Sequence, residues 1–529
     1  MLNTVRARRG MVTSPHHLAS EAGLRVLREG GNAVEATVAM AAALAVVYPH
    51  MTAIGGDGFW LIGASGETPV GIDACSRAAG AATPQLYAQA GLTAIPQRGP
   101  LAANTTAGTV GGWGEALRVS GERGGRLPLS RLLEDAVWHA RNGFAVTASQ
   151  SQLTADKLPE LADVSGFADV FLADGAAPAT GATMTLPALG ETLERLGREG
   201  PESFYRGTLA RDIAHDLAAA GSPVTRDDLA ACHATRVTPL QVDLPGVRLF
   251  NFPPPTQGLA SLMILGIFSR LGVREAEGFA HLHGLIEATK QAFLVRDRVV
   301  GDPDTMSEDP RAFLAGDVLD RLAARIDSGR ALPWPAPPSA GDTVWLGAID
   351  GNGLAASFIQ SIYFEFGSGV VLPQTGIVWQ NRGSSFALAG DGPRMLAPGR
   401  KPFHTLNPAM AQFADGRHMV YGTMGGEGQP QTQAALFSRY GLFGQELQAA
   451  ITAPRWLLGR TWGAETVTLK LEDRFPPDLI AALRSAGHDV EMVPAFDAMM
   501  GHAGAIVRRA DGTLDGAGDP RSDGAAMGF

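Results

Sequence analysis

The segment 333–386 limits the fold more than any other part of the chain. Each proline of PWPAPPSA at 333–340 lacks a backbone N–H and fixes φ, so this stretch cannot continue a helix or enter a central strand, and the chain approaches Thr343 as a loop. Residues 343–349 then read as a strand, the DGNG of 350–353 as a tight turn and 354–362 as a returning strand, because β-branched and apolar residues flank the turn signal. Thr343 is therefore the first strand residue after an extended approach. If the Asp342–Thr343 peptide bond were cut, the new N-terminus would stay held in a sheet. By pattern alone, a threonine that opens a strand is far more often structural than a nucleophile.

With 529 residues, 45% of them hydrophobic, the chain can bury one very large core or two domains. Its formal charge of -10 gives nucleic acid no general attraction, and RARR at 6–9 is too short to reverse this. Cys75 and Cys232 allow at most one disulfide, which fits neither a secreted scaffold nor a thiolate metal cluster. MLNTVRARRG is followed by polar residues and Pro15, so no secretory signal is expected. The apolar run 33–48 contains Glu35 and Thr37 and would be only about 24 Å long as a helix, so it reads as a buried helix and not a membrane span. A cytoplasmic location is the default expectation.

In chain order, helices are expected at 18–28, 33–48, 128–141, 189–197, 208–219, 259–269, 276–298 and 433–450. Gly55, Gly56 and Gly58 precede a strand at 59–62 with no lysine of the phosphate-loop type, which favours close backbone packing over nucleotide binding. His281 and His283 lie near Glu287, but residues two apart do not share a helix face and the HExxH order is absent. No metal or other cofactor is expected. Strands are also expected at 467–471, 490–493 and 503–507, and the turn-rich GAGDPRS of 516–522 lies between a strand and the end. On this reading helices dominate before Thr343 and strands cluster after it. No internal repeat, autonomous linker or dinucleotide-binding pattern is evident.

Several blocks in order along the chain resemble the gamma-glutamyltransferase family of N-terminal-nucleophile hydrolases. They include GGNAVEAT, GGDGFWL, FPPPTQG, LNPAM, GTMGGEG and GAGDPRS, besides the Thr-led hairpin with its FGSG and TGI segments. The resemblance implies an α+β, four-layer αββα fold. It implies autocleavage between Asp342 and Thr343 into a large subunit, 1–342, and a small catalytic subunit, 343–529, which stay associated in one interleaved fold. A homodimer of such processed pairs is a further implied assembly. Thr343 would be the nucleophile, with its freed α-amine as its own general base, since such an amine titrates at about 7.7–8.0. Gly425 and Gly426 match the oxyanion-hole glycines and Ser361 the second hydroxyl.

The expected substrate residues depart from the family pattern. Cys75 stands where an arginine clamps the glutamyl α-carboxylate, with Arg77 two positions on. Tyr363 replaces an asparagine, Arg382 follows Asn381 where a glutamine is usual, and Ser385 replaces the acid that grips the glutamyl amine. His404 and Thr405 replace paired serines, and the bulk of Trp345 could shorten the cavity. A guanidinium binds a carboxylate through two parallel hydrogen bonds, so Arg382, helped by Tyr363 and Arg77, would suit a small acidic amide. This resembles the branch that splits oxamate into oxalate and ammonia in purine-derived nitrogen use. The alternative is a hydrolase or transferase of glutathione-like gamma-glutamyl amides; a noncatalytic binding module would leave the chain uncut, and an assembly protein would show no small-molecule amidase activity and tolerate Thr343→Ala.

Overall fold

The computed structural model describes residues 3–334, 342–459 and 467–529; the prolines of 335–340 lie outside them. Two seven-stranded antiparallel sheets stack face to face. The first runs Ala525–Gly528, Gly10–Ser14, Asp342–Asp350, Ala355–Tyr363, Asp57–Gly63, Val70–Ala74, Thr235–Val237. The second runs Val5–Ala7, Leu514–Gly518, Ala503–Arg508, His418–Thr423, Ala409–Phe413, Val247–Asn251, Leu240–Leu244. Segments on both sides of Thr343 supply strands to each sheet, so neither segment completes a sheet alone.

Strand side chains alternate between two cores, as a period of two requires. Val344, Leu346 and Ala348 face the helices His17–Arg28, Ala33–Val47 and Thr109–Glu122, which cover the first sheet. Asn32 caps Ala33–Val47 through a reciprocal bond with Glu35, and every residue of that helix is buried. On the far side, Gly258–Phe268 and Gln429–Phe437 pack on the second sheet, and Phe279–Val299 packs against both of these helices. Trp345, Ile349, Phe59 and Ile359 meet Phe250, Met410, Val420 and Ile506 between the sheets. The layers are therefore helix, sheet, sheet, helix.

Trp345 occupies this middle layer instead of shortening a substrate cavity. Its indole donates to Ser357 Oγ at 3.0 Å and lies against Gly422 and Gly504, where an added Cβ would come within 2.2 and 2.6 Å of the ring. The glycine loop before Asp57 has the packing role read from sequence: a Cβ on Gly56 would stand 2.1 Å from the Ser361 carbonyl oxygen.

Three expectations need correction. Seven of the fourteen strands in the two large sheets precede Thr343, because strands as short as Leu240–Leu244 carry too few residues to announce themselves. The C-terminal stretch contains two strands, Leu514–Gly518 and Ala525–Gly528, whose glycines and alanines show little hydrophobic alternation. The stretch 433–450 is divided into Gln429–Phe437, a π turn at Ser438–Leu442 and Leu447–Thr452.

Candidate active site

Thr343 is fully buried at the open end of the central hairpin, on the strand face that looks between the sheets. Asp342 pairs with Tyr363 and Val344 with Gln360, so Ser361 and Ile362 together oppose Thr343 across a bulge. Such a bulge turns a strand end and re-aims its side chains. Gln429 Nε2 donates to Thr343 Oγ1 at 3.3 Å. Ser361 Oγ accepts from the Tyr363 N–H at 2.8 Å, which ties the second hydroxyl to the backbone beyond the bulge.

Tyr363 leaves the strand with φ of +82°, a conformation seldom adopted by a bulky residue. That turn places its ring against Arg382, whose guanidinium carbon lies 3.9 Å from the ring centroid. Arg382 is completely buried, and Nη1 donates to Thr405 Oγ1 at 3.4 Å. Its Nε and Nη2 have no hydrogen-bond partner, and among the described residues no carboxylate oxygen lies within 4.0 Å of it. Burial pushes its pKa down to about 10, so it stays charged at neutral pH. A cation held dry with two idle N–H groups is costly unless an anion completes it.

His404 sits beside this cation. Its Nε2 lies 3.0 Å from Asp57 Oδ2, and burial followed by repulsion from Arg382 lowers its pKa to about 4, leaving the imidazole neutral. Asp57 is satisfied by the Ser76 and Gly108 N–H groups, both at 3.0 Å, and by Ser76 Oγ at 2.7 Å. Cys75 Sγ is within 4.8 Å of the Asp57 and His404 ligand atoms. Burial holds its thiol protonated, and with Arg382 adjacent this set is a poor cation site.

Gly425 and Gly426 have φ of +113° and +53°, which glycine accommodates without steric penalty. They form the turn between His418–Thr423 and Gln429–Phe437. Buried Arg296 holds this turn through Glu427 Oε2 at 2.7 Å. Gln257 Nε2 donates to the carbonyls of Gly426 at 2.8 Å and Thr405 at 2.7 Å. Asn407 Nδ2 links the Thr405 carbonyl, at 2.9 Å, to Gln429 Oε1, at 3.1 Å. Thr343, Arg382, Thr405 and the glycine turn thus belong to one connected buried polar network.

Other expected residues lie differently. Arg77 is not in the buried cluster: its side chain is 44% exposed, with Nη2 3.3 Å from Asp304 Oδ2 and Nη1 donating to the Gly399 carbonyl. It lines a surface cavity of about 330 Å3 together with Thr106, Cys232, Lys401 and Cys75. The Asn381 amide accepts from the Phe364 N–H at 3.1 Å and donates to the Gln97 carbonyl at 2.8 Å, a positioning arrangement in place of a substrate contact. Ser385 Oγ donates to the Phe403 carbonyl at 3.2 Å, so its hydroxyl braces the neighbouring loop. His283, Glu287 and His488 also converge, but His283 bonds His488 and the Asp327 carbonyl while Glu287 pairs with buried Lys290, whose charge opposes a metal. Sequence reasoning gave no role to Asp57, Gln257, Arg296, Asn407 or Gln429, although GGDGFWL, FPPPTQG and LNPAM contain the first, second and fourth and GTMGGEG ends one residue before Gln429.

The gamma-glutamyltranspeptidase family model matches residues 19–529. The chain is 55% identical over 521 residues to the oxamate amidohydrolase proenzyme of Klebsiella pneumoniae, covering 98% of each. It is 41% identical to the glutathione hydrolase-like YwrD proenzyme of Bacillus subtilis, over the full length of both. A cephalosporin acylase from Bacillus halodurans superposes with a TM-score of 0.92 at 32% identity, covering 100% of this chain and 97% of that one. The protein belongs to the gamma-glutamyltranspeptidase family and is an autoprocessed N-terminal-nucleophile amidohydrolase.

Proposed function

We propose that the protein hydrolyses a small acidic amide, oxamate, to oxalate and ammonia. The observation that carries this reading is Arg382, buried and charged, with Nε and Nη2 unpartnered. An α-carboxylate on the substrate would supply the missing anion, and the face of Tyr363 would hold the guanidinium plane. Cys75 belongs both to the lining of the surface cavity, with Arg77 and Lys401, and to the buried set with Asp57 and His404. The similarity to an oxamate amidohydrolase proenzyme supports the same substrate.

Maturation begins with attack of Thr343 Oγ on the Asp342 carbonyl carbon; the peptide C–N bond breaks, and water cleaves the resulting ester to leave Thr343 with a free amine. Ser361, which opposes Thr343 across the bulge, assists this step in the proposed scheme. In turnover the same hydroxyl attacks the amide carbon of the bound acid and gives its proton to the amine. N–H groups at Gly425 and Gly426 stabilise the tetrahedral oxyanion. The C–N bond then breaks, the amine returns the proton to the departing nitrogen, and ammonia leaves behind an oxalyl ester. Water, deprotonated by the same amine, releases oxalate and restores the Thr343 hydroxyl.

The test compares kcat/KM for oxamate, neutral oxamide and a gamma-glutamyl anilide, in wild type and Arg382→Gln. A charge-assisted hydrogen bond contributes about 1.5–3 kcal/mol, so oxamate turnover should fall by roughly one to two orders of magnitude while oxamide turnover persists. Undiminished oxamate turnover in the variant, or a wild-type preference for the gamma-glutamyl compound, sinks the assignment. The second outcome would instead favour the gamma-glutamyl hydrolase reading, which the similarity to a glutathione hydrolase-like proenzyme keeps as the runner-up.

A further inference from the structure

Gln257 is fully buried, lies outside the reacting groups, and spends both hydrogens of its side-chain amide on two different loops. One bond reaches the Thr405 carbonyl at 2.7 Å; the hydroxyl of Thr405 in turn accepts from Arg382. The other reaches the Gly426 carbonyl at 2.8 Å, within the glycine turn that leads into the helix whose Gln429 bonds Thr343. The two acceptors of one planar NH2 group stand roughly 5 Å apart, because the donor directions diverge by a fixed angle. Its own position is fixed in turn. Oε1 accepts from Arg296 Nη1 at 3.0 Å, the backbone N–H donates to the His404 carbonyl at 3.0 Å, and Arg296 also holds Glu427 of the same turn.

We infer that Gln257 is the positioning residue that sets the distance between the carboxylate-binding arginine and the oxyanion turn, and so selects substrates by the spacing between carboxylate and amide. This rests on the reading of Arg382 and Gly425–Gly426 given above. In oxamate, carboxylate and amide carbons are directly bonded; in malonamate one methylene lies between them, lengthening the acid by roughly 1 Å. A site with rigid spacing engages both ends of oxamate at once and only one end of malonamate. Single-methylene discrimination of this kind reaches roughly 10–200-fold.

The experiment measures the ratio of kcat/KM for oxamate over malonamate in wild type, Gln257→Met and Arg296→Lys, each confirmed as processed into two fragments. Gln257→Met removes both bridging hydrogens at similar volume. Arg296→Lys keeps a charge facing Glu427 and removes the support of Gln257 Oε1. The ratio is expected to fall by about tenfold in the first variant and by less in the second. General damage to the site lowers both substrates together and leaves the ratio unchanged, so an unchanged ratio in either processed variant overturns the inference. A wild type that hydrolyses oxamate no faster than malonamate overturns it before any variant is made. A wild type inactive on both acids overturns the substrate reading, and this inference falls with it.

Discussion

Arg382 and His404 show how burial divides ionisation between neighbours. The guanidinium is basic enough to keep its proton when its pKa falls to about 10, whereas His404, lowered to about 4, loses its own and stands as a neutral dipole beside the cation. His281, His418 and His502 are lowered to about 4 and His16 and His488 to about 3, burial being the first cause in each. A histidine whose folded pKa lies below its unfolded value contributes stability that is present above about pH 6.5 and lost as pH falls through the folded value. Each contributes a slope of about 1.4 kcal/mol per pH unit within that window. His50 and His139 are lowered by burial too, so raised Asp135 and Asp350, which act in the opposite sense, are two against eight. The unfolding midpoint in urea is therefore expected to fall steeply between pH 6.5 and 4.5, and a flat or rising midpoint would contradict the assignment of buried neutral imidazoles.

The element that most needs bracing is the glycine turn at 425–426, and its outer support comes from the C-terminal motif. Arg455 donates to the Gly501 carbonyl at 2.6 Å and pairs with Asp519 Oδ2 at 2.5 Å, while Asp519 also accepts from the Ala503 N–H at 2.6 Å. Gly501 packs directly behind Gly425 and Met424. Asp519 keeps Arg521 as a second cation at 3.1 Å, so Arg455→Met removes one charge-assisted partner of a buried carboxylate and should destabilise the protein by about 1.5–3 kcal/mol. Equilibrium unfolding in urea measures this cost, and a value below about 1 kcal/mol would contradict the bracing role. The Thr343 hairpin was legible from sequence because alternation and the DGNG turn act locally: strands expected at 343–349 and 354–362 are found at Asp342–Asp350 and Ala355–Tyr363. Leu514–Gly518 was not, since its small side chains carry no alternating signal and Gly516 is required by contact with Met11. Likewise Arg382 is conspicuous as a departure from a motif, while the bridge from Gln257 to Thr405 spans 148 residues and exists only once three loops have met.

Across the whole molecule, the chain on either side of Thr343 is woven through both sheets, which lets a peptide bond be cut at a strand end while the remaining pairings stay in place. Gly347–Asp350 remain paired with Gly10–Thr13, and Ala355–Ser361 with Asp57–Gly63, so the segment after Thr343 is held by strands that come before it. The central claim is that Thr343 becomes the N-terminus of a catalytic fragment. It is tested most directly by intact-mass measurement and N-terminal sequencing of the freshly purified protein, beside Thr343→Ala, with oxamate turnover assayed on the same samples. The account predicts fragments of 342 and 187 residues from the 529-residue chain, the smaller beginning at Thr343 and present in every active preparation, and an uncut, inactive Thr343→Ala variant. Activity in an uncut chain, a small fragment beginning at another residue, or turnover by Thr343→Ala would contradict it.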